Sequence, residues 1–116
     1  GSQAVAAASR DGSTIAGVTC HRVDEGLDTG PIISQAVTPV PFGASPQTVG
    51  RLLFRRAVPV SIQCVRWLEQ GALGSALNGR VVVAGAEFDD GVYSPAIDGD
   101  IAAFADWHLR RYYPDA

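Results

Sequence analysis

The tightest constraint on this chain is the run Val18 to Ile33, reading V-T-C-H-R-V-D-E-G-L-D-T-G-P-I-I. Two apolar arms, Val18–Val23 and Pro31–Val37, enclose a seven-residue loop that carries Asp24, Glu25 and Asp28 together with Gly26 and Gly30. β-Branched residues suit a pleated, half-buried surface, whereas Gly and Asp relieve a tight loop. The pattern predicts one strand over 14–23 and a second over 31–40, ended by Pro39 and Pro41. A loop held between two strands has its side chains aimed by the scaffold, which favours chemistry there. Alternation along the first strand puts Thr19 and His21 on one face and Val18 and Cys20 on the other. A polar pair entering an acidic loop is the candidate site.

The flanking segments read as helices and one further strand. Residues 3–10 are alanine-rich and predict the last turns of a helix ended by Asp11-Gly12. Ser45-Pro46 has the form of an N-cap followed by proline at the first helical position. From there Val49, Leu53, Ala57, Val60, Cys64 and Leu68 recur at helical spacing up to Gly71, with Arg51, Arg55 and Arg66 on the watery side. Pro59 removes a backbone hydrogen bond, so a kink or two abutting helices are expected. Val81–Val83 predicts a strand, and residues 87–91 an acidic turn. Residues 101–111 predict a final amphipathic helix burying Ile101, Phe104, Ala105 and Leu109.

Charge and cysteine content narrow the partners. With 116 residues, 47% of them hydrophobic and 18% charged, the chain is one globular domain, taken as 3–116, and Gly1-Ser2 has the look of a cloning remnant. A net charge of −3 offers no electrostatic footprint for nucleic acid, and no apolar run reaches the length of a membrane span. Cys20 and Cys64 form no metal-binding spacing and fall among apolar neighbours, so reduced thiols and a cytoplasmic setting are expected. Three carboxylates within five residues could suit calcium, but the longer alternating pattern and terminal glutamate of a helix–loop–helix site are missing, and no metal is expected. At the other end Trp107, Arg110, Arg111, Tyr112 and Tyr113 fit cations at a helix carbonyl terminus better than base stacking.

The run G-V-T-C-H-R-V-D-E-G-L-D-T-G-P-I-I resembles the folate-dependent formyltransferases, and among them it is most similar to the phosphoribosylglycinamide formyltransferases. The resemblance is dense over residues 14–40, weaker to Gly71, and absent beyond about residue 86. The methionyl-tRNA formyltransferases share the D-E-G-L-D-T-G-P run but usually lack a histidine at the place of His21. The resemblance implies 10-formyltetrahydrofolate as formyl donor and a small-molecule amine as acceptor. It implies that Asp28 takes part in proton transfer, that His21 supports it, and that Asp24, Glu25, Gly26 and Leu27 line the folate ring. Each residue also has a plainer reading: Asp28 as a turn cap, His21 as a satisfied strand-end histidine, the loop as a solvated acidic turn.

The family's N-x-H pattern is missing, since the sole asparagine, Asn78, precedes Gly79-Arg80 and the histidines are His21 and His108. The family's Glu-His pair in the long helix is also replaced, by Ala57-Val58 before Pro59. The resemblance therefore implies an α/β fold. Specifically, the carboxyl-terminal half of a formyltransferase-type, Rossmann-like sheet is expected, with short strands, one long kinked helix and a C-terminal helix. An uncovered sheet edge and apolar face should follow, with self-association or a companion chain to cover them. A formyltetrahydrofolate hydrolase, a methionyl-tRNA formyltransferase fragment and a non-catalytic interaction module stay open as alternatives.

Overall fold

The computed structural model describes residues 11–23, 30–86 and 88–115. The chain is α/β. Among the described residues five strands, β1 (Ile15–His21), β2 (Ile32–Pro39), β3 (Leu73–Leu77), β4 (Arg80–Val83) and β5 (Tyr93–Ser94), make one mixed sheet. Two helices among the described residues accompany it, α1 (Pro46–Glu69) and α2 (Gly99–Tyr112). The sheet order is β1-β2-β4-β3, with β5 also paired to β2. β1 and β2 run antiparallel, as their flanking of one loop predicts, whereas β2 and β4 run parallel across the α1 connection.

The helix α1 starts where the sequence places it. Ser45 accepts the backbone N–H of Thr48 at 3.2 Å, and Pro46 occupies the first turn. It runs as one continuous helix through Pro59 rather than as two abutting pieces. Gly71, at φ 68°, turns the chain out of it. Its inward stripe is Val49, Val60, Cys64 and Trp67, and with Ile33, Ala36, Ala72 and Val81 most of these form the core. Leu68, expected inside, is 65% exposed because Trp67, one position earlier, occupies the inward face.

Two strands escape the sequence pattern. β3 is poor in β-branched residues and largely exposed, yet it pairs with β4 through a two-residue loop, Asn78-Gly79. Both loop residues have positive φ, 52° and 79°, the conformation that right-twisted hairpins demand. β5 has only two residues, held beside β2 after a turn in which the Asp90 carboxylate accepts the N–H groups of Val92 and Tyr93 at 2.9 and 2.6 Å.

The helix α2 packs on α1 through Ile101, Ala105 and Leu109. Phe104, expected to be buried, is 49% exposed, since it lies about 100° around the helix from Ala105. It joins instead a surface aromatic group in which His108 packs against Phe104, Tyr112 and Tyr113. Arg110 and Arg111 sit in the last turn, where the helix dipole favours cations. The α1–α2 junction is polar. Arg66 makes a forked pair with Asp100 at 2.7 and 2.8 Å and reaches Asp98 at 3.0 Å. That fork holds the Asp100 carboxyl below its ordinary range and raises the Arg66 guanidinium. A lowered carboxylate stabilises at neutral pH and loses that contribution only as the pH falls through the lowered value. Both groups meet solvent, so the effect is small.

Gln63 matters more, because it is fully buried. Its amide oxygen accepts the Asp98 N–H at 2.7 Å and its amide nitrogen donates to the Asp98 carboxylate at 3.3 Å. Leucine at this position leaves both Asp98 groups without those partners. Gln63→Leu is predicted to cost about 1–3 kcal/mol. A urea titration should show a lower midpoint with an unchanged slope.

Candidate functional site

The candidate site sits where β1 and β2 converge on the loop. Their pairing runs in register from Ile15 opposite Pro39 to Cys20 opposite Ser34, then slips so that His21 faces Ile32. Ile33 is the extra residue of this bulge, and both it and Ser34 are buried. Bulges re-aim side chains beside functional sites, and here the slip falls at His21. The neck beneath the loop is closed by Arg22, whose N–H donates to the Pro31 carbonyl at 2.9 Å. On the parallel side, Ile32 N–H donates to the Gly79 carbonyl at 2.9 Å, so the β3–β4 turn braces the same point.

Thr19 and His21 share the face away from α1, as alternation predicts. With Gly30 and Ile32 they line an open depression of about 310 Å³. The Thr19 hydroxyl accepts from the Gln35 side-chain amide at 3.0 Å across the strand pair. His21 Nδ1 lies 2.9 Å from the Arg22 carbonyl oxygen. A carbonyl can only accept, so this contact makes Nδ1 the donor. In the neutral ring Nε2 then carries the lone pair, the arrangement a proton-carrying histidine needs.

Of the residues singled out from sequence, His21 is thus placed in the depression. Asp24, Glu25, Gly26, Leu27 and Asp28 lie outside the described residues. The N-terminal helical turns expected over 3–10 lie outside them too.

Two features of the site escape sequence reasoning. The first is Gly30. A Cβ there falls inside the van der Waals surface of the Arg22 carbonyl oxygen and 3.4 Å from His21 Nδ1. Only glycine lets the two strand ends close under the loop, and the position of Gly30 immediately before Pro31 is the one available hint. The second is that Cys20, half-buried on β1, packs against the core cluster that holds Cys64 of α1. The clue was that both fall on faces turned to the core.

Gly30→Ala is therefore predicted to pry the neck open. Overpacking of this kind costs about 1–3 kcal/mol. The expected signature is a lowered melting temperature together with loss of hydrogen-exchange protection at the Arg22 amide, while the amides of α1 stay protected.

The family model described as "Formyl transferase" matches residues 1–60. A phosphoribosylglycinamide formyltransferase of Bacillus subtilis is 60% identical over 35 residues, covering 30% of this chain and 18% of that protein. A methionyl-tRNA formyltransferase of Acidobacterium capsulatum is 34% identical over 62 residues, 53% of this chain and 20% of the relative. Another, of Rubrobacter xylanophilus, is 38% identical over 63 residues, 54% of this chain and 21% of the relative. The chain thus spans about a fifth of the length of the curated relatives it matches. With more than half of its residues inside the family match, the chain belongs to the folate-dependent formyltransferases.

Proposed function

We propose that this chain supplies the folate loop and the acid–base carboxylate of a glycinamide ribonucleotide formyltransferase of cytoplasmic purine synthesis. The observation that carries the reading is His21 at the neck of the D-E-G-L-D-T-G-P loop, facing the depression with Gly30. High identity to the Bacillus subtilis phosphoribosylglycinamide formyltransferase over a short stretch supports it.

The described lining suits one edge of a flat heterocycle. Ile32 gives an apolar wall, Gly30 lets main chain come close, and His21 and Thr19 give polar edges. Residues 24–27 would hold the ring of 10-formyltetrahydrofolate, which when bound supplies the formyl carbon that an amine attacks. His21, with Nδ1 donating to the Arg22 carbonyl, is held in place to support the Asp28 carboxylate in this reading. Asp28 would keep that imidazole oriented and order the water that carries the proton onward. The chain contains no N-x-H pattern, so the reading places the complementary asparagine and histidine on a companion segment.

A second reading, part of a methionyl-tRNA formyltransferase, is favoured by the two relatives of that name. His21 speaks against it, as does the net charge of −3, which suits tRNA poorly. Mixing the chain with the separately prepared amino-terminal half of a phosphoribosylglycinamide formyltransferase, then offering glycinamide ribonucleotide or methionyl-tRNA, separates them. The proposal predicts formyl transfer to the ribonucleotide, lowered by roughly 10²–10⁴-fold in Asp28→Asn. Transfer only to methionyl-tRNA would favour the second reading. Stable association without any transfer would instead mean an interaction module.

A further inference from the structure

We infer that the outer face of α2 is a contact between two copies of this chain, which pack their α2 helices antiparallel about Phe104 and Trp107. At about 100° per residue, Asp100, Phe104, Trp107 and Arg111 fall within about 60° of arc, one narrow stripe along the helix. The stripe lies about a third of a turn round from the side that Ile101, Ala105 and Leu109 bury. All four of its residues are exposed. Phe104 is 49% and Trp107 55% exposed, with ring centroids 6.1 Å apart.

The aromatic ground continues beyond the stripe. The His108 and Tyr112 rings lie 5.0 Å apart, Tyr113 follows at 5.9 Å from His108, and Phe54 of α1 meets Tyr113 at 5.3 Å. Rings from two helices are thus in unbroken contact at the surface. Contiguous exposed aromatic surface with arginine at its margin has the composition of an interface.

The order of the charges selects a second copy as the occupant. Asp100 stands in the first turn and Arg111 in the last, with the two rings between them. A second helix turned end for end about the point midway between Ala105 and Asp106 brings Asp100 of each copy level with Arg111 of the other. The same operation sets Phe104 of each level with Trp107 of the other. A parallel pair would instead oppose like charges at both ends. The antiparallel pair also lays each helix's positive amino end beside a negative carboxyl end. Asp100 is already steadied by the forked pair with Arg66 at 2.7 and 2.8 Å, yet its side chain stays 68% exposed. A carboxylate has about four lone-pair sites, so it has room for a second arginine.

The exposed parts of Phe104, Trp107 and neighbouring Tyr112, at roughly 100 Å² each, give about 600 Å² over two copies. With the flanking charged stems, this is a contact at the small end of specific interfaces, so the dimer is weak and reversible.

Sedimentation equilibrium of the full chain over a wide concentration series is the test, with circular dichroism checking that each variant folds. Wild type is expected to pass from monomer to dimer with a midpoint of roughly 10–100 µM. Phe104→Ser, at an exposed position, should raise that midpoint by roughly tenfold or more. Asp100→Lys and Arg111→Asp should each weaken association, and an equimolar mixture of the two should restore it, since both ends of the mixed pair then carry opposite charges. A monomer throughout the series overturns the inference. So does a dimer indifferent to Phe104→Ser, or a mixture that associates no better than its components. If Asp100→Lys disturbs folding by losing the pair with Arg66, the wild-type series and Phe104→Ser still decide the matter.

Discussion

The structure depends on the antiparallel pairing of β1 with β2, and on the way that pairing ends. A ladder in register delivers Thr19 and His21 to one face and Val18 and Cys20 to the other. One bulged residue, Ile33, then lets the second strand keep its apolar side inward while the histidine lines the depression with Thr19, Gly30 and Ile32. Under the loop the strands can touch only because Gly30 has no side chain. The placement of His21 and of the depression it lines follows from these backbone contacts.

The second half of the chain serves that hairpin. α1 covers its apolar face, and Arg56 ties the helix to β2 by donating to the Val37 carbonyl at 3.0 Å. The same guanidinium lies 5.8 Å from the ring centroid of Tyr93, so β5 is drawn into the contact. α2 is held to α1 by an apolar stripe and by the buried Gln63 amide. Among the described residues β1 is a sheet edge on the far side, and Ile15 at its start is 62% exposed.

Much of this is legible in the sequence where one physical rule acts alone. Alternation over residues 15–21 and the Ser45-Pro46 start of α1 read correctly because strand pleat and capping chemistry are local. Legibility fails where tertiary contact outvotes local preference. β3 is built from Leu, Gly, Ser and Ala, residues with little strand preference, and only the Asn78-Gly79 turn announces it. Trp67 displaces Leu68 from the inward face, and Phe104 joins a surface aromatic group, because the helix phase is fixed by neighbours rather than by hydropathy. In the site, His21 could be placed from alternation. The need for glycine at position 30 could not, since it arises from the close approach of the Arg22 carbonyl across the neck.

The central claim is that the β1–β2 neck, with His21 and Gly30, is where this chain meets a folate. Titrating the isotopically labelled chain with tetrahydrofolate and following its nuclear magnetic resonance spectrum tests that most directly. The account predicts saturable shifts centred on Thr19, His21, Gly30 and Ile32, with little change along α2. Shifts confined to the helices, or a spectrum indifferent to the ligand at saturating concentration, would contradict it.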